Sequence, residues 1–299
     1  VGWTALYSNT ASDNSAFGRE ALKANTTGTA NTGLGRDALR YNTTASNNTS
    51  VGHNNLFNTT TGASNTAVGA SALFSNTTAS YNTAVGYQAA YSNTTGIANV
   101  GLGAYALQLN TTGNYNTALG YNAGNAITTG LYNVAIGANA LDVSTTANSN
   151  IGIGVNALGS TTTGAENVAM GLNALLTNTT GASNVGIGTY ALNSNTTSSS
   201  NVAVGYQTLY SMSATGDANK STAVGYQAGY NSTHNVDAFG AQALYSNTTG
   251  VLSVAMGREA LYSNTTGSYN TAIGYQAGFF ITTGTKNTVL GRYNGNQGG

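Results

Sequence analysis

Along this chain a bulky apolar residue precedes a glycine again and again, and the pair returns with a fixed period. The anchoring glycines are Gly2, Gly18, Gly35, Gly52, Gly69, Gly86 and so on to Gly291, and fourteen of the seventeen intervals between them are 17 residues. The residue before the glycine is large and apolar in all eighteen cycles, from Val1 and Phe17 through Met170 to Leu290. The residue two before it is small, usually Ala, Gly or Ser. Three after the glycine stands Ala in fifteen of eighteen cycles, followed in many by Leu (Leu73, Leu107, Leu141, Leu175, Leu244). Between these apolar columns lie polar ones. Asn occupies the place four before the glycine in fourteen of seventeen cycles, and a Thr pair stands eight and nine after it in fourteen of seventeen.

This period is too short for a helical hairpin repeat and does not follow heptads. It predicts an all-β fold, a parallel β-solenoid of 17–18 coils. Each coil has a Thr-Ala-Val strand, one or two further short strands around Ala-Leu-Tyr, and a polar Thr-Thr-Gly turn. Seventeen steps of about 4.8 Å give a rod of roughly 80 Å. Because strand side chains alternate, the small residue and the bulky residue fall on opposite faces. The bulky face is expected to fill the core. The small face is expected to allow close approach of another chain, so a homotrimer is the natural assembly and a solitary solenoid the alternative. The repeat makes residues 1–299 one continuous domain. Its single irregularity, at 211–236, adds three residues and then shortens the next coil, and it reads as a bulge or kink.

Composition narrows the function. Charged residues are 5% of the chain, with eight Lys/Arg against eight Asp/Glu, so no field exists to attract nucleic acid or an anionic membrane. There is no Cys, hence no disulfide or thiolate chemistry. No apolar run is long enough to span a membrane, and no signal peptide opens the chain. Val1-Gly2 already lies within the motif, which suggests a mature or excised segment. His53 and His234 are isolated, no metal-ligand spacing occurs, and the G-x-G patterns belong to the repeat. Neither catalytic residues nor a cofactor or metal site is expected. The Gly-Arg-acid triplets at Gly18, Gly35 and Gly257 read as solvated charge with diagonal Arg–acid pairing.

The polar columns suggest sites. Asn25, Asn42, Asn76, Asn93, Asn110, Asn178, Asn195, Asn247 and Asn264 precede the Thr pair and form N-x-T sequons, candidate glycan acceptors in a glycosylating host. The Asn column four before the glycine reads as an internal amide ladder. The Thr pair could bind ice, but adjacent strand residues face opposite ways, so capping of a turn is the preferred reading. The aromatic column (Tyr7, Phe57, Phe74, Tyr91, Tyr210, Tyr230, Tyr245, Tyr262, Phe279) could stack on sugars; packing is preferred.

The cores Asn82-Thr83-Ala84-Val85-Gly86 and Asn133-Val134-Ala135-Ile136-Gly137 resemble the repeats of trimeric autotransporter adhesin heads. The longer N-T-A-V-G-Y-Q-A-L-Y-S-N-T-T-G form resembles tail-fibre-like proteins of phages and bacteria, and Asn294 to Gly299 resembles the end of such an array. Adhesin-head repeats are shorter, and the Asn-Thr-Thr-Gly turn accounts for the difference. The resemblance implies a left-handed β-roll, a trimer or end-to-end filament, and an extracellular, cell-surface or virion location. The function expected is a non-enzymatic structural or adhesive rod, with a cell-surface glycan as possible partner; the alternative is a surface-binding module for ice or glycan that uses the Thr or Tyr columns.

Overall fold

The computed structural model describes residues 2–213 and 220–292. Val1, most of the 211–220 insertion and the Asn294–Gly299 segment lie outside the described residues. The chain divides into two compact units, Val1–Ser149 and Asn150–Gly299. Each is a parallel β-solenoid. The first carries β1 (Ser15–Phe17) to β8 (Val134–Ile136), the second β9 (Ile151–Ile153) to β17 (Thr288–Leu290). Within each unit every strand pairs in parallel with the next, residue for residue, as in Thr66↔Thr83 and Val185↔Val202. Among the described residues there is no helix, so none is long and apolar enough to cross a membrane.

Each coil holds one strand, where the sequence suggested two or three. The Ala-Leu-Tyr stretch is a series of turns because every second residue in it has a left-handed backbone. Gln88 and Ala90 have φ of 52° and 49°, and Leu107 and Leu141 have 52° and 51°. A strand cannot continue through such residues. Their amides still bond between coils: Leu107 N–H donates to Ala123 O at 3.1 Å and Leu175 N–H to Ala191 O at 2.9 Å.

The interior is also the reverse of the expected one. The small residues point inward and the bulky ones outward. Ala84 and Ala169 are wholly buried, whereas Val85 and Met170 are 37% and 39% exposed. The reason is the opposite wall. Leu22, Leu39, Leu107, Leu175 and their equivalents enter from the turn side and are completely buried. A Cβ on Gly186 would lie 3.3 Å from the Leu175 side chain. A thin coil has room for one branched layer, and the leucines take it.

The anchoring glycine is required by the close approach of coils. From Gly18 to Gly274 its φ lies between 126° and 140°, a conformation that side chains rarely adopt. A Cβ on Gly86 would overlap the Gly103 carbonyl.

The irregular coils leave strand register untouched. Thr222 still pairs with Val202 after a longer coil, and Asp237 with Thr222 after a shorter one. The length changes fall between the strands, outside the paired positions.

Candidate functional site

Two Asn ladders run inside each unit. In the column before the strand, Asn99 Nδ2 donates to Gly113 O at 2.8 Å, and Asn116 N–H donates to Asn99 Oδ1 at 2.9 Å. In the second unit Asn167 and Asn184 repeat the arrangement. This is the amide ladder read from the sequence. The sequon residues form the other one. Asn93 Nδ2 donates to Gly96 O at 3.0 Å, and Asn110 Nδ2 to Asn93 Oδ1 at 2.9 Å. Asn25, Asn42, Asn76, Asn93, Asn110, Asn178, Asn195, Asn247 and Asn264 are all 0% exposed. Their amides are core donors, so a glycan on Nδ2 would require the amide to leave the folded coil. The fold therefore presents none of these nine as a surface acceptor.

The neighbouring threonines divide the work. The first of each pair caps the stack: Thr94 Oγ1 donates to Thr111 O at 3.1 Å and Thr179 Oγ1 to Thr196 O at 3.0 Å. The second, as at Thr95, Thr112 and Thr180, is exposed. Its hydroxyl makes no hydrogen bond among the described residues.

The aromatic column packs upon itself. Phe57, Phe74 and Tyr91 stack at 5.1 Å with interplanar angles of 8° and 4°. In the second unit Tyr210, Tyr230, Tyr245, Tyr262 and Phe279 stack at 5.0–5.2 Å. Each inner ring has both faces covered by its neighbours and offers none to a sugar ring, whereas Tyr7 lies outside these stacks and is exposed. Burial and the adjacent tyrosines Tyr210 and Tyr245 push the Tyr230 hydroxyl above its ordinary range.

The charged patch differs from the expected solvated pairs. The carboxylates are inside and the bases cover them. Glu20 and Asp37 side chains are 6% and 3% exposed, and Arg40 reaches both, at 2.9 and 3.3 Å. Lys23 adds a contact to Glu20 at 3.2 Å, and Arg36 one to its neighbour Asp37 at 2.9 Å. Burial would raise the Glu20 pKa, but the Lys23 hydrogen bond and the Arg40 and Lys23 charges prevail and lower it. At Glu259 a hydrogen bond from Gln276 is the largest influence and the net direction is again down. A lowered folded pKa contributes stability above the ordinary carboxylate value, lost as pH falls through the folded one. The melting temperature should therefore fall as pH drops from about 5 to about 3. Glu20→Gln should flatten that fall, and an unchanged slope in the variant would contradict it.

No protein-family model matches the chain, and no curated protein matches it.

The surface with the most distinctive chemistry is thus the outer face of each sheet, which the sequence assigned to the core. Its inner column reads Thr66, Thr83, Val100 and Thr117 in the first unit and Ile151, Val168, Val185 and Val202 in the second. The column beside the glycine reads Val68, Val85, Leu102, Leu119 and then Ile153, Met170, Ile187, Val204. Exposed Tyr87, Tyr121, Tyr206 and Tyr226 flank it after the glycine turn. In-register pairing lays these side chains in straight rows about 4.8 Å apart. The result is an almost uncharged surface, with one row of apolar side chains and one of Thr and Val, repeated on coil after coil.

Proposed function

We propose that this chain is a non-enzymatic structural element of an extracellular fibre, either a surface-adhesin filament or a phage tail-fibre shaft, and that copies associate through the outer faces of their sheets. The observation that carries the reading is the outward row of Val, Ile, Leu, Met and Phe beside the glycine, with a row of Thr and Val next to it, on successive strands. Contiguous apolar surface of this kind marks an interaction site. A row of apolar side chains flanked by Thr and Val is complementary to another of the same kind, and the scarcity of charge suits a partner that is equally uncharged. The assembly is a homotrimer or a filament, located at a cell surface or on a virion.

The test is sedimentation of the full chain across a concentration range, beside a variant carrying Ile187→Lys and Val204→Lys. Both positions face outward, so the coil should keep its circular-dichroism spectrum. The unmodified chain should be multimeric and the variant should dissociate. A parent chain that stays monomeric at every concentration would sink the reading. The second reading, binding of ice or glycan, is favoured by the exposed second-threonine row. Thermal hysteresis from a monomer would support it.

A further inference from the structure

Each of the seventeen strands presents two outward positions, and Asp237 is the only charged residue at any of them. It lies in β14 (Val236–Phe239), paired with Thr222 on one side and Val254 on the other. Every other residue in its row is Val, Ile, Thr or Ser. Beside it opens a concavity of about 200 Å³ lined by Lys220, Asn235, Val236, Asp237, Leu252 and Ser253. Lys220 is exposed, and among the described residues neither it nor Asp237 takes part in an ion pair.

This bears on a difficulty intrinsic to a repeating face. If copies associate through these rows, as proposed above, sliding one copy by a single coil replaces Val with Ile or Thr and little else. Apolar contact alone barely distinguishes such registers. A carboxylate does. Pressed against the Val, Ile and Thr rows of a neighbour it would lose its water without gaining a counter-charge, which is unfavourable. A lone polar residue in an otherwise apolar interface is the best attested way to select one register at some loss of affinity. Only the register that sets the same level of each copy side by side brings a neighbour's Lys220 to the Asp237 concavity.

We propose that Asp237 fixes the axial register between copies of this chain, with Lys220 of the adjacent copy as its counter-charge. The inference rests on the self-association reading, and the experiment separates the two. The chain has no cysteine, so a spin label can be placed on Thr249→Cys, an exposed turn position. Distances between labels in the multimer should form one narrow distribution. Asp237→Val puts in its place a residue that recurs in the row, as at Val202 and Val254, so the fold should survive. That variant should still associate but show several distances, separated by the coil step. The exchanged pair Asp237→Lys with Lys220→Asp should restore the single distance. A multimeric Asp237→Val with the parent's single distance overturns the register proposal alone. A monomeric parent chain overturns the association reading and this proposal together.

Discussion

Gly86→Ala should destabilise its part of the chain by at least about 3 kcal/mol. Two effects add. The backbone there has φ of 139°, and a non-glycine residue held in such a region costs about 1–3 kcal/mol. The new Cβ would also overlap the Gly103 carbonyl, which is backbone and cannot rotate aside. Gly101→Ala is the control. Gly101 lies in the small-residue column of the strand, its φ is not positive, a Cβ there would meet nothing nearer than Ala106 O at 3.3 Å, and Ala84, Ala118 and Ala135 stand in the same place in other coils. That change should cost under about 1 kcal/mol. Since repeat arrays need not unfold in a single step, amide hydrogen exchange is the suitable measurement. Gly86→Ala should lose protection in its own and the adjoining coils and keep it further away. Equal effects from the two alanines would refute the close-approach account.

The second large effect is a coupling. Most coils bury Leu at the fourth place after the glycine and Asn at the seventh, as with Leu107 and Asn110. Two coils exchange both, to Gly124 with Ile127 and to Gly278 with Ile281. A Cβ on Gly124 would lie 3.0 Å from Ile127 Cδ1 and 3.2 Å from Leu107 Cδ2. Ile127 therefore fills the space a leucine would have taken. The ladder also ends there, because Ile127 cannot donate to Asn110 Oδ1, which has no partner. Ile127→Asn alone should cost about 2–5 kcal/mol through the cavity it opens. Gly124→Leu alone should cost about 1–3 kcal/mol by overpacking. The double variant rebuilds the common coil and gives Asn110 Oδ1 a donor, so it should lie within about 1 kcal/mol of the parent, the residual being leucine in a left-handed conformation. A denaturation cycle giving a coupling of at least about 2 kcal/mol is expected; simple additivity would refute the exchange.

These columns show how far the fold could be read from residues alone. The period, the glycine and the first Asn ladder were legible because each recurs and has one physical use. The inward face was not. Thr-Ala-Val alternates between two sides that are both apolar enough to be buried, and the choice is made by Leu side chains arriving from the facing wall. The second strand was misread for a related reason. Ala-Leu-Tyr has strand-like composition, yet Gly124, Gly229 and Gly278 stand in the leucine column, and glycine there points to a positive φ. The sequon Asn residues carried a comparable signal. Ile127, Met212 and Ile281 replace them, and apolar substitutes in a polar column indicate an interior position. The exposed second threonine gave no such clue, since nothing in the coil depends on its hydroxyl.

The bonds between coils have a mechanical consequence. Within each unit they run along the stacking direction, while the covalent chain runs around it. A pull along the stack is therefore borne by hydrogen bonds and packing, one coil at a time. Each coil that peels away releases 17 residues, about 55 Å of extended chain, from a folded step of about 4.8 Å. Such a unit would resist bending yet yield to tension in increments, lengthening and dissipating load before its backbone is strained.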